Sequence, residues 1–199
     1  MNISKYVLPK ALLVCGLIGC GAFAAEVSKV KALPDDPACT AEDRKFIART
    51  YELARASTAK GDGGHGALLV KDGKVLLEFA SMGTTSGDVT KHAEIGVISL
   101  GSRQLGREAL AGTILYTSEE PCIMCCGAVR SAGIRTFIYG ATAFQAQRLR
   151  GGPLSTKPLQ CRETFARLDY SIKIIGPLME EEGLQVLAEN YEMRARKKK

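Results

Sequence analysis

Tryptophan is absent from the 199 residues, phenylalanine and tyrosine number six each, and histidine occurs only twice. No internal repeat is present, which excludes solenoid and propeller architectures. Neither charge sign dominates the body of the chain. Lys5 and Lys10 lie near the N-terminus, and Arg194, Arg196, Lys197, Lys198 and Lys199 lie at the C-terminus. Without those seven, 20 basic residues stand against 21 acidic ones, so the net charge of +6 belongs to the ends. That balance argues against a broad basic surface for nucleic acid. The tail at 194–199 reads as a solvated helix end, its charge suited to a helix C-terminus. Long hydrophobic runs are also missing: the uncharged apolar stretch Ala11–Phe23 is short for a bilayer span.

That stretch follows a short positive segment and precedes Ala22-Phe23-Ala24, with small residues where a signal peptidase reads. Residues 1–24 are therefore expected to be a signal peptide, making the protein exported, periplasmic or secreted. Leu17-Ile18-Gly19-Cys20 also resembles a lipobox, which would make Cys20 a lipid anchor and the protein a lipoprotein. Residues 25–39 read as a linker rich in turn formers, and the folded domain is expected over 40–193.

With 46% apolar residues the chain can build one ordinary core. Thr40 is a plausible N-cap for a helix whose apolar positions Phe46, Ile47, Tyr51, Leu53 and Ala54 recur at helical spacing. Two apolar runs flank Lys71-Asp72-Gly73-Lys74, and the Asp-Gly pair supplies the positive φ of a tight hairpin turn. Residues 82–91 form a polar loop, followed by a helix from His92 and a strand over 112–118. A second helix runs from Cys122 to Gly133, then a strand over 134–140 and a short helix over 141–150. A helical piece near Cys161, a last strand over 170–176 and a closing helix with Pro177 in its first turn complete the chain. Alternating helices and strands indicate an α/β fold: a three-layer α/β/α sandwich on a five-stranded mixed sheet.

Chemistry concentrates in two stretches, "HAE" at 92–94 and "PCIMCC" at 121–126. Each opens a helix, where free N–H groups and the positive dipole end favour thiolate, the metal-binding form of cysteine. Cys122 and Cys125 lie one turn apart on one helical face. With the His92 imidazole they make three ligands for a tetrahedral, borderline-soft ion, for which Zn2+ is the expected choice, its fourth position open to water. Glu94 stands two residues past His92, placed to move protons between that water and a substrate. Cys126 is read as a buried apolar residue, because a fourth thiolate would close the coordination sphere. Cys39 and Cys161 are either a disulfide or two free thiols.

His-x-Glu followed by Pro-Cys-x-x-Cys resembles the signature of the zinc-dependent nucleobase and nucleoside deaminases. The chain resembles them further in "DVTKHAEI", "LYTSEEPCIMCCGAV" and "IRTFIYGA", and "GHGALLVKDGK" is similar to their first hairpin. The resemblance covers about residues 40 to 193. It implies the cytidine deaminase-like fold, zinc on His92, Cys122 and Cys125, Glu94 as the catalytic acid and base, and a homodimer. It also places Ser81, His65 and Ala67 at the substrate, His65 being equally readable as a loop histidine. Relatives carry an Asn where counting eleven back from His92 reaches Ser81, and Val89 replaces their usual Pro. These departures touch substrate choice and leave the zinc chemistry intact.

The expected function is an exported zinc-dependent hydrolase that deaminates a free base or nucleoside of the guanine or cytosine type and releases ammonia. The same-class alternative is a tRNA or single-strand adenosine deaminase, which calls for a positive groove. An alternative of another class is a zinc-stabilised binding domain without turnover.

Overall fold

A computed structural model describes residues 30–151 and 158–197. The expected signal peptide, Cys20 and the last two residues of the tail lie outside the described residues. The elements in chain order are α1 Ala41–Lys60, β1 Gly66–Lys71, β2 Lys74–Ala80, α2 Ala93–Gln104, α3 Arg107–Ala111, β3 Ile114–Glu119, α4 Ile123–Ala132, β4 Thr136–Ala141, α5 Ala143–Leu149, α6 Cys161–Arg167, β5 Lys173–Ile175 and α7 Glu180–Lys197.

The sheet order is β2-β1-β3-β4-β5, with β1 antiparallel to β2 and β3, and β3, β4 and β5 parallel. The sheet is therefore mixed, as expected. Lys71 pairs with Lys74, and Asp72 and Gly73 between them both have positive φ, so the Asp-Gly pair makes the tight hairpin.

One face of the sheet packs Leu68, Val70, Tyr116 and Ile138 against Ile47, Tyr51 and Ala54 of α1 and Val186 of α7. The other face packs Leu69, Leu115 and Phe137 against Val97 of α2, Val129 of α4 and Phe165 of α6. Helices cover both faces, which confirms the three layers. Alternation along each central strand supplies both faces with apolar side chains, since successive residues point opposite ways.

α1 begins at Thr40 in a capping box: Thr40 Oγ1 accepts from Asp43 N–H, and an Asp43 carboxylate oxygen accepts from Thr40 N–H. Three sequence expectations change. The five-residue α3, between α2 and β3, was not anticipated. Pro177 precedes the closing helix, which starts at Glu180 after Met179 turns through a positive φ of 54°. The segment read as a linker is tied down from residue 31 onward: Asp35 accepts from Met179 N–H, Asp36 from Gly176 N–H, and the Lys31 carbonyl from the Gln145 side chain. Cys39 and Cys161 are both free; Cys39 packs on the α1 face of the sheet and Cys161 on the other.

Candidate active site

The ends of β3 and β4 point to the same side as the start of β1, because β1 runs against β3 with Ala67 beside Thr117. The loops at this end bring together His65, Ser81, His92, Glu119 and Cys122. His92 is the N-cap of α2 and Cys122 the N-cap of α4, both with extended backbone and neither capping its own helix through its side chain. The imidazole and thiol are thus free to face each other across the cleft. Cys125 follows in the first turn of α4, buried beneath them.

Cys122 Sγ lies 3.6 Å from Cys125 Sγ, and His92 Nδ1 lies 3.8 Å and 3.6 Å from those two sulfurs. Zn–S and Zn–N bonds of ordinary length at tetrahedral angles separate neighbouring donors by about 3.5–3.8 Å. The three donors therefore fit a tetrahedral ion without rearrangement. The thiols share a hydrogen bond, which together with the His92 imidazole lowers Cys122 to about 3 despite its burial. The same bond and burial push Cys125 up. A metal ion held by these donors would take the place of the shared proton. Cys126 is fully buried, its thiol directed at the Pro121 carbonyl and raised by burial to about 12, so it is core and no ligand.

Glu94 is 8% exposed, and burial raises its carboxyl to about 7. The Glu94 carboxyl in turn helps to raise the nearby Cys125 thiol. It lines a cavity of about 130 Å³ with His65, His92, Glu119, Glu120, Cys122 and Arg150. Burial also lowers His65, against the opposing pull of Glu119. His65 Nδ1 lies 3.5 Å from Glu119 Oε2, and Arg150 Nη2 donates to both Glu119 oxygens at 3.0 and 3.1 Å. Arg150 also bonds the Tyr191 hydroxyl.

Glu120 belongs to the frame. One carboxylate oxygen accepts from Cys161 N–H at 2.8 Å and the other from Ala143 N–H at 3.1 Å, fixing the starts of α6 and α5.

The residues expected at the substrate divide. His65 reaches the cavity. Ser81 lines the outer chamber, but its hydroxyl is engaged: it accepts from His65 N–H and shares a hydrogen bond with Ser57 Oγ, which donates to the Ser81 carbonyl. Ala67 is fully buried in the core behind α2 and is absent from the cavity wall. Glu119 carries no sequence signal, and Arg150, in the run Gln147-Arg148-Leu149-Arg150, reads in sequence as a solvated helix end or a phosphate contact. Their pairing joins positions 31 apart in sequence and leaves no local signature.

Outside the small cavity lies a chamber of about 580 Å³ lined in part by Lys91, Arg150, Tyr191 and Arg194, with no carboxylate among its lining residues. Lys91 and the C-terminal Arg194 give it a local excess of positive charge, Arg150 being paired with Glu119.

Residues 40–141 match the model of the cytidine and deoxycytidylate deaminase zinc-binding region. The chain belongs to this family. A tRNA-specific adenosine deaminase of Agrobacterium fabrum is 40% identical over 101 residues, 51% of this chain and 66% of that protein. The guanine deaminase of Bacillus subtilis is 42% identical over 97 residues, 48% of this chain and 62% of its own. A probable cytosine deaminase of Schizosaccharomyces pombe is 27% identical over 145 residues, 72% of this chain and 88% of its own. The chain thus spans just under two thirds of the first two of these relatives. Among solved structures, one from a study of A-to-I editing by tRNA:A34 deaminases superposes with a TM-score of 0.59 at 31% identity, covering 71% of this chain and 98% of that one. A guanine deaminase of Nitrosomonas europaea, at 22% identity and a TM-score of 0.63, shares the fold over 90% of this chain and 94% of its own. The fold is cytidine deaminase-like, the family binds zinc, and His92, Cys122 and Cys125 are positioned to hold the ion.

Proposed function

We propose that this chain is a zinc-dependent hydrolase that deaminates a free nucleobase or nucleoside. The observation that carries the reading is the 130 Å³ cavity, which sets Glu94 beside the three donor atoms. Zinc held by His92, Cys122 and Cys125 supplies a Lewis acid that makes water nucleophilic near neutral pH.

The chain's own residues do the rest. Glu94, raised to about 7 by burial, can both accept and return a proton in the neutral range. It takes a proton from the attacking water and delivers it to the ring nitrogen next to the reacting carbon. A second proton passes to the exocyclic amine, the C–N bond breaks, and ammonia leaves a ring carbonyl behind. His65, Glu119 and Arg150 face the substrate's far edge with an imidazole, a carboxylate acceptor and a guanidinium donor. These groups offer polar contacts of the kind lost with the Asn that Ser81 replaces.

Ammonia release over a panel of bases, nucleosides and an adenosine-containing anticodon stem-loop tests the reading. Turnover of a base or nucleoside supports it, with Glu94→Gln lowering kcat by about 10²–10⁴-fold while zinc is retained. Equal inertness of the wild type and Glu94→Gln on every substrate would leave the binding-domain alternative standing.

A second reading, deamination of adenosine within tRNA, has its own support. The outer chamber carries Lys91, Arg150 and Arg194, a positive rim suited to phosphodiesters, and tRNA-specific deaminases are among the relatives. Turnover of the stem-loop alone, falling steeply with salt, would select it.

Export remains a proposal resting on the pattern of residues 1–24. Intact mass of the exported protein separates cleavage after Ala24 from lipidation at Cys20. The proposed homodimer rests on the family resemblance, and sedimentation of the zinc-loaded protein tests it.

A further inference from the structure

The active-site cavity lies where β3 and β4 end. At the opposite end of the sheet, where these strands begin, a depression of about 560 Å³ opens among Arg107, Arg130, Ser131, Gly133, Arg135 and Tyr170. Separate elements build it. Arg107 opens α3, Arg130 lies in the last turn of α4, Arg135 directly precedes β4, and Tyr170 stands in the turn between α6 and β5.

Part of this depression is held in place. The Arg135 guanidinium lies 4.0 Å over the Tyr170 ring centroid and donates to the Ser171 carbonyl at 2.8 Å. The Tyr170 hydroxyl donates to the Ile134 carbonyl at 3.0 Å. Arg107 and Arg130 are exposed and have no carboxylate partner among the described residues, and no carboxylate lines the depression. Elsewhere arginines meet acids: Arg49 pairs with Glu78, Arg55 with Glu189 and Arg167 with Glu163.

Three unneutralised guanidinium groups converging on one concavity repel one another, and an anion relieves that repulsion. The carbonyl end of α4, which would disfavour an anion, is partly satisfied: Gly133, at a φ of 78°, turns its N–H back to the Arg130 and Val129 carbonyls. Planar guanidinium forks match the oxygens of a phosphate, and the exposed Ser131 hydroxyl adds a donor.

We propose that this depression binds a phosphate group carried by a small molecule, at a site separate from the deaminating cavity. The charge is local and concave, which suits a single phosphate better than a polymer tracking the surface.

Calorimetric titration of the zinc-loaded full chain at 0.15 M salt tests it, with inorganic phosphate, a nucleoside monophosphate, the matching nucleoside and a short RNA oligomer as probes. Saturable phosphate binding is expected, weakened about tenfold by either Arg107→Ala or Arg130→Ala. The paired variant Arg49→Ala/Arg167→Ala removes the same two charges elsewhere and leaves binding unchanged. Tighter binding of the monophosphate than of phosphate, lost in Arg107→Ala/Arg130→Ala, identifies a nucleotide as the source; equal affinities identify the free ion. Ser131→Glu, an exposed substitution that adds a negative charge at the site, abolishes binding and serves if the arginine variants fold poorly. The proposal is overturned by absence of saturable phosphate binding, by equal loss in both paired variants, or by binding confined to an RNA oligomer.

Discussion

The Cys125 sulfur lies 3.6 Å from both the Cys122 sulfur and His92 Nδ1, while the adjacent Cys126 sulfur turns away to the Pro121 carbonyl. Two neighbouring cysteines in one helix therefore have different fates. Cys125→Ala leaves two ligands and is expected to purify with little zinc. Cys126→Ala keeps one zinc per chain and loses about 1 kcal/mol through the small void left in the core. Metal analysis and urea unfolding of both variants check this. Full zinc in Cys125→Ala would refute the assignment of the ligands.

Glu119 and Arg150 form the polar wall of the cavity, one Arg150 nitrogen meeting both carboxylate oxygens. Glu119→Gln keeps the shape and removes the charge. It is expected to lower kcat/KM about tenfold or more, chiefly through KM, with zinc content unchanged. Arg150→Ala leaves Glu119 without its guanidinium partner and should change which substrates are preferred. Steady-state kinetics on the best substrate of the panel decides. Unchanged kcat/KM in both variants would remove this wall from substrate recognition.

How much could be read beforehand depended on the range of the interaction. The hairpin followed from Asp72-Gly73, the start of α1 from Thr40, and the metal donors from residues at helix starts, all local patterns. Glu119 was hidden because nothing near it in sequence announces an arginine from the end of α5. The docking of residues 31–36 was hidden for the same reason, since Asp35 and Asp36 cap backbone amides some 140 positions away. Pro177 suggested a helix start because proline suits a first turn, yet Met179 turns the chain before α7 begins. Ala67 sat in a motif-like stretch, but strand alternation turns it into the core.

α2 carries His92 and Glu94, and its distance from the sheet is set at Gly96. A β-carbon there would fall 2.1 Å from Cδ1 of Phe79 on β2, so only glycine permits the contact. Gly96→Ala is expected to destabilise the zinc-loaded protein by about 1–3 kcal/mol through overpacking, offset in part by the better helix propensity of alanine. The double variant Gly96→Ala/Phe79→Leu should recover part of the loss. Urea midpoints measure both effects. A single variant as stable as wild type would mean that α2 shifts freely and that Gly96 does not fix the site.

The loop leading to His92 is anchored at Asp62, which is 1% exposed. Its Oδ1 accepts from Thr84 N–H at 2.9 Å and Thr85 N–H at 2.8 Å, and its Oδ2 from the Thr85 hydroxyl at 2.7 Å. Burial alone would raise its pKa, but these bonds to Thr85 and Thr84 together hold it below the ordinary 3.8. A carboxyl with a depressed folded-state pKa adds stability that is complete above its unfolded value. That contribution is lost as pH falls through the lower folded value. Asp62→Asn should therefore be less stable than wild type at pH 6, with the difference shrinking as the pH drops below 3.8. Thermal midpoints of both proteins from pH 6 to pH 2.5 test the sign. Because Lys91 lines the outer chamber and His92 holds the metal, loosening this anchor should also raise KM at neutral pH. A difference that grows on acidification would contradict the proposed role of Asp62.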